Sequence, residues 1–275
     1  MTTTDDRSLE RLAGLLAMAE GSDNEAERDA FMVRAQELST LYSISLATAR
    51  AHDTKKRNAT TPLTRVVSIG ERGKHGLKNY VELICEIARA NNTKLTIAHN
   101  STFVTLYGFV EDIDLTITLY GSLLGQMVAA SERWLATGAY KTEMDLREVT
   151  RRDAFGRSYK DFDYAPVPKQ TARAIFQVAF ADRIGTRLQT AQKDTTAQAI
   201  TADEQSGTAS TALVLAEKTR QVEKFYQDNN DARGHYKGVS MTGWSESAHQ
   251  AGRKAADSAR LHRSTEIGTP KAAIR

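Results

Sequence analysis

Six histidines, one cysteine and a few acidic runs are the residues of this chain best suited to bond-breaking chemistry, and their spacing argues against most of it. A zinc protease needs His-Glu-x-x-His so that two imidazoles face one metal, and none of His52, His75, His99, His235, His249 or His262 begins that pattern. His249 and His262 stand thirteen residues apart on one expected helix, too far to share an ion. Cys85 lies beside Ile84 and Ile87 on an apolar helical face, where an inert thiol is favoured over a thiolate. Gly70-Glu71-Arg72-Gly73-Lys74-His75-Gly76 precedes a helix, but it lacks the glycine spacing and the Ser or Thr after Lys of a phosphate loop. Glu111, Asp112 and Asp114 could hold a divalent ion; at the start of an expected helix they read better as carboxylates stabilised by unpaired amides. No Gly-x-Ser-x-Gly elbow occurs. The expectation is a chain with no catalytic residue, metal ligand or cofactor, leaning away from an enzyme.

What remains is charge. The chain has 37 Lys and Arg against 34 Asp and Glu, a net charge of +3 too even to announce a polyanion as partner. The first fifty residues hold nine acids and five bases, so the remainder carries +7. Residues 54–78 contain Lys55, Lys56, Arg57, Arg65, Arg72, Lys74 and Lys78 against Glu71 alone. A flexible basic strand can follow phosphates without fixed geometry. Residues 231–275 have eight bases and four acids, and Arg233, His235, Tyr236, Lys237 and Trp244 mix cations with rings able to stack on unpaired bases. Arg253, Lys254, Arg260 and Arg263 extend that basic run. Residues 147–164 also mix arginines and aromatics, but Glu148, Asp153, Asp161 and Asp163 offer internal salt bridges that would use the cations up. For each of these stretches the competing reading is a solvated surface.

At 275 residues the chain has the length of one large domain or two small ones. A single cysteine excludes an intramolecular disulfide and agrees with a reducing compartment. Met1 to Arg7 is Thr-rich and acidic, and no stretch approaches the roughly 18 apolar residues of a membrane span, so a cytoplasmic protein without a membrane partner is expected.

Residues 9–20 place Leu9, Leu12, Leu16 and Ala19 at helical spacing, and Ser22 to Glu25 has capping-box spacing for a second helix, giving a helical hairpin over 1–50. In its second helix Ala26, Ala30, Val33, Leu38, Leu41 and Tyr42 share the expected buried face. Residues 51–74 read as a basic linker with one extended piece, Thr64 to Ile69. A helical domain over 75–192 follows, with helices at 76–91, 111–137 and 169–192, and strands Lys94 to Ala98 and Thr102 to Tyr107 forming one small antiparallel β-hairpin. Within the second helix the Tyr120 hydroxyl needs a partner or a wet edge if its stripe is buried. Residues 138–165 read as irregular, and 193–210, mostly Thr, Ala, Gln and Asp, as a flexible loop. C-terminal helices at 211–227 and 245–262 and a basic tail complete 211–275. The fold class expected is α+β, mainly α. On the last helix Ala248, Gly252 and Ala256 form a strip without side-chain bulk, usually tight internal packing and alternatively a homo-oligomer seam.

The N-terminal run of Leu12 to Glu20, Asn24 to Glu27, Ala35 to Leu38 and Tyr42 to Ile44 resembles an uncharacterised helical-hairpin domain common in actinobacterial phages and prophages. Glu86, the β-hairpin, and Leu106-Tyr107-Gly108-Phe109 leading into Asp112 look like the domain that usually follows it. The resemblance implies this architecture and a phage context, and it implies no active site. Together with the charge pattern, it sets the expectation of a non-enzymatic phage accessory protein in the host cytoplasm or on the virion. Its expected activity is weak, sequence-independent nucleic-acid binding through the linker and the C-terminal segment. The alternative expectation is a virion-associated or protein-interaction component acting on a host or phage protein or as a homo-oligomer.

Overall fold

A computed structural model describes residues 25–52, 61–206, 211–240 and 243–259. Its elements run α1 (Glu25–His52), β1 (Leu63–Ser68), α2 (Leu77–Ala90), β2 (Lys94–Ile97), β3 (Phe103–Gly108), α3 (Val110–Thr137), a 3-10 turn (Ala139–Thr142), β4 (Met144–Arg152), β5 (Ser158–Pro166), α4 (Lys169–Ser206), α5 (Thr211–Asn229) and α6 (Glu246–Asp257). The architecture is α+β and mainly α, as the periodicity requires. The expected β-hairpin is β2–β3, with β1 added on the other side of β3, so the sheet order is β1-β3-β2 and all pairing is antiparallel. The extended piece placed in a linker is therefore a sheet strand.

The core lies between the sheet and α2, α3, α4 and α6. Val81, Ile84 and Ile87 of α2, Val104 and Leu106 of β3, Ile113, Leu123 and Met127 of α3, and Phe180 and Ile184 of α4 are buried in one cluster. Over an 18-residue window α3 reaches a mean hydropathy of 1.3, apolar enough to cross a membrane, contrary to the expectation that no stretch comes close. In this fold its apolar stripe serves the core. Tyr120 sits in that stripe with a buried hydroxyl that finds no hydrogen-bond partner, and burial pushes its phenol above its ordinary value. Cys85 is buried and its thiol is pushed up to about 12 by burial and then by Glu82.

Three expectations fail here. Residues 193–206, read as loop, continue α4, because Ala191 and Thr195 bury their small side chains on the side where α1 packs, and Thr195 returns its hydroxyl to the Ala191 carbonyl at 2.8 Å. Residues 207–210 lie outside the described residues. The irregular stretch 138–165 contains a two-stranded arm, β4 paired with β5. On α1, Val33 and Leu41 are exposed while Gln36, Ser39, Thr40, Ile44 and Ala47 are buried. The buried face is polar because polar groups meet it: Gln36 donates to Asn91 Oδ1 at 3.4 Å.

The most consequential of these polar meetings is at Lys218. Its Nζ lies 2.6 Å from Asp112 Oδ2 and 3.6 Å from Glu111 Oε1, and donates to Ser43 Oγ at 2.6 Å. Ser43 in turn donates to Asp112 Oδ1 at 3.1 Å, and the ammonium stands 5.4 Å from the Phe109 ring centroid. One helix from each of three regions of the sequence thus meets at a charge that is 3% exposed. Burial raises the Asp112 carboxyl above its ordinary value, against the downward pull of Lys218. The acidic run at 111–114 is accordingly neither a metal site nor a simple cap: Glu111 and Asp112 turn inward to Lys218, and Asp114 pairs with Arg65 of β1.

The strip Ala248, Gly252, Ala256 is filled from within the chain. A Cβ on Gly252 would stand 2.2 Å from the Phe176 carbonyl oxygen of α4, and Ala248 and Ala256 are fully buried, so no oligomer seam is left on that face. Gly252→Ala is expected to lower the unfolding free energy by about 1–3 kcal/mol through overpacking, measured by denaturant melts. Lys218→Met is expected to cost about 3 kcal/mol by leaving a carboxylate without its counterion, and adding Asp112→Asn should recover part of that loss in the same measurement.

Candidate nucleic-acid interface

The basic residues singled out by local charge do not all come together. Lys55, Lys56, Arg57, Arg260 and Arg263 lie outside the described residues. Arg253 and Lys254 are on α6, with Arg253 3.5 Å from Asp182. Lys74, Lys78, Arg233, Tyr236 and Lys237, by contrast, line two neighbouring chambers of about 510 and 640 Å³. Lys78, His99 and Ser101 belong to both linings, so the chambers adjoin and form one groove.

Three segments build it. The first is the turn before α2, where Gly73 (φ 88°) and Gly76 (φ 86°) adopt left-handed backbone and carry Lys74, His75 and Lys78 to the rim. The second is the β2–β3 turn, His99 to Ser101, held by the Asn100 side chain, which accepts from the Thr102 amide at 3.2 Å and its hydroxyl at 2.8 Å. The third is the strap from Ala232 to Val239, which leaves the end of α5 and crosses α2. Tyr236 donates to the Lys78 carbonyl at 3.4 Å, and the Val239 amide donates to Glu82 Oε1 at 3.0 Å. Burial and the Glu82 carboxylate together push the Tyr236 phenol up. Gly238 has φ 74°, and a Cβ there would stand 3.1 Å from Glu82 Oε1, so both backbone and space call for glycine.

The floor of the first chamber is polar and fully engaged. Asn79 donates to Gln177 Oε1 at 3.0 Å, Gln177 donates to Ser131 Oγ at 3.1 Å, and Ser131 donates to the Val128 carbonyl at 2.9 Å. All three side chains belong to buried residues, and this run of hydrogen bonds ties the floor to α3 and α4. Chemistry at the groove falls to the rim: Lys74, Lys78, Arg173, Arg233 and Lys237 against Glu132, the acid of the combined lining, which pairs with Arg173 at 2.7 Å. Lys74 also stands 3.9 Å from Glu71, both well exposed, a pair too solvated to neutralise it. His75, His99 and His235 also line the groove. This is an arrangement for holding an anion. Among the described residues no three of His, Cys, Asp and Glu are grouped to hold a metal.

Sequence reasoning missed Arg173, His99 and Gln170. Each comes from an element remote from the basic runs, α4 or the β2–β3 turn, and no local charge density marks them. Trp244, expected among the stacking residues, instead donates to Glu246 at 3.1 Å and packs on His249 with ring centroids 5.0 Å apart.

Residues 7–46 match a family described as a protein of unknown function, DUF2786, which covers the expected hairpin domain and includes most of α1. No second domain is identified. No curated protein and no solved structure matches the chain.

Glu82→Ala removes the anchor of the strap without touching the rim cations. It is expected to speed limited proteolysis within residues 230–240 several-fold while leaving cleavage elsewhere unchanged, read by mass spectrometry of the fragments.

Proposed function

We propose that this chain is a binding protein rather than an enzyme, and that it holds nucleic acid weakly and without sequence preference in the groove between the α2 turn, the β2–β3 turn and the strap. One observation carries the reading: five Lys and Arg side chains from three separate parts of the chain line adjoining chambers that contain a single acid, already paired. In the phage setting that the N-terminal resemblance implies, the protein would be an accessory factor acting on nucleic acid in the host cytoplasm. The mechanism is phosphate neutralisation with counterion release, and it needs no base-edge contacts. Tyr236 is committed to the strap by its bond to Lys78, so in this reading its role is to place Arg233 and Lys237 rather than to stack on a base.

Fluorescence anisotropy with a labelled oligonucleotide tests the proposal. A single strand that meets all five cations gives a plot of log affinity against log salt with a slope of about −3.5, and Lys78→Gln should flatten it by about 0.7. Binding that is absent at low salt, or indifferent to salt, overturns the proposal.

A further inference from the structure

The arm β4–β5 is nine residues on each strand, and at its root it meets the 3-10 turn and, through Asp145, Gly243. Its register runs from Met144 opposite Pro166 at the root to Arg152 opposite Ser158 near the tip. Because side chains alternate along a strand, this register sorts the residues onto two faces. One face carries Asp145, Arg147, Val149 and Arg151 with Tyr159, Asp161, Asp163 and Ala165. There Arg151 pairs with Asp161 at 3.0 Å and Asp163 at 2.6 Å. The opposite face carries Met144, Leu146, Phe162 and Tyr164, then Lys160 and Arg152 toward the tip. Its one acid, Glu148, is taken by Lys160 at 2.7 Å.

The salt bridges that a reading of residues 147–164 expects to exhaust the cations are therefore concentrated on one side. Three of the arm's acids, Asp145, Asp161 and Asp163, are on the face away from Phe162 and Tyr164, and a fourth, Asp153, is spent holding the tip turn through the Phe155 and Arg157 amides at 2.9 and 2.8 Å. Arg152 and Arg157 make no ion pair among the described residues. Phe162 and Tyr164 are 64% and 66% exposed and Phe155 at the tip is 86% exposed, and no element among the described residues covers them. The arm also springs from the edge of the groove: Pro166 is four residues before Gln170, and Asp145 and Thr171 both lie against Gly243.

We propose that the face bearing Phe162 and Tyr164 is a stacking surface for the bases of single-stranded nucleic acid, with Arg152 and Arg157 meeting the phosphates at its distal end. The occupant follows from charge: the spare cations stand at the tip, beside the exposed Phe155 ring, while three acids face away and Glu148 is paired with Lys160, which suits a polyanion with accessible ring faces. A duplex hides those ring faces in its stack. The inference takes its ligand from the groove reading and adds to it a site, a preference for unpaired strands and the residues responsible.

The test uses the full chain at low salt with a fluorescein-labelled thymidine oligonucleotide. Phe162→Ala with Tyr164→Ala should weaken binding about ten-fold or more, Phe162→Trp should retain it, and Tyr159→Ala on the reverse face should change nothing. If the double variant binds like the parent while Lys78→Gln weakens binding, the arm is overturned and the groove stands. If the double variant weakens binding and Lys78→Gln does not, the arm stands and the groove falls. No binding by the parent chain overturns both. A dimer seen by light scattering, or binding to anionic vesicles, either one lost in the double variant while oligonucleotide affinity is unchanged, assigns the face to another occupant and overturns the proposal.

Discussion

An ammonium that is almost wholly withdrawn from water has to be answered by fixed negative charge, and Lys218 is answered from two other helices at once, by Asp112 and Glu111 of α3 and by the Ser43 hydroxyl of α1. Such a cluster does little for net stability, because desolvating the charges offsets much of their attraction. What it does is forbid alternatives. A one-turn slip of α5 along α1 would carry Lys218 away from Asp112 and Glu111 and leave two buried carboxylates without a cation. The register so fixed carries Tyr226 to the edge of Tyr107, with ring centroids 5.2 Å apart, and Glu223 to Lys94 at 2.7 Å. The strap begins just past Asn229, so its position over α2 is inherited from that buried contact.

The groove is thus assembled by two kinds of constraint. A charge buried near the middle of α5 sets where the strap starts, and a carboxylate on α2, Glu82, sets where it crosses. Between these points the strap needs glycine at 234 and 238, where φ is positive, and it offers its basic side chains to one side. The rim cations are therefore held by backbone that has few conformations left, which lowers the ordering entropy an anion would otherwise have to supply on binding. Within the sequence interval 51–74, the residues from Leu63 onward are a paired strand and a structured turn leading to Lys74.

Elements whose apolar residues recur at one period over several turns were legible in the sequence: α2 ends at Asn91 as its Asn pair suggests, α3 and the start of α4 fall within a residue or two of expectation, and β2–β3 pair as read. The misreadings share a cause. The buried face of α1 and the second half of α4 use Gln, Ser, Thr and Ala where periodicity looks for Leu and Ile, because their partners are polar or close. The arm has the two-residue alternation of a strand, Met144 and Leu146 against Asp145 and Arg147, Phe162 and Tyr164 against Asp161 and Asp163, but counting charges over the whole stretch hides it. Of the groove, the clustered cations were visible and Arg173 and His99 were not, since only the fold places α4 and the β2–β3 turn beside α2.

Natural sequences break local rules sparingly, and the breaks are informative when one asks where each is compensated. The buried Lys218 is compensated by three partners inside the chain. The left-handed glycines of the strap are compensated by Glu82 and by the contact of Tyr236 with Lys78. The third break is the arm, which presents Met144, Leu146, Phe162 and Tyr164 on one exposed face with no element among the described residues to cover them. Its reverse face shows that the same strands can carry solvated charge, so hydrophobic exposure is not forced by the hairpin. A two-stranded ribbon on its own is marginal in water and gains nothing from rings left in solvent. No described element supplies that compensation, and the proposal that a single nucleic-acid strand does so rests on the sign of the spare charges beside the face.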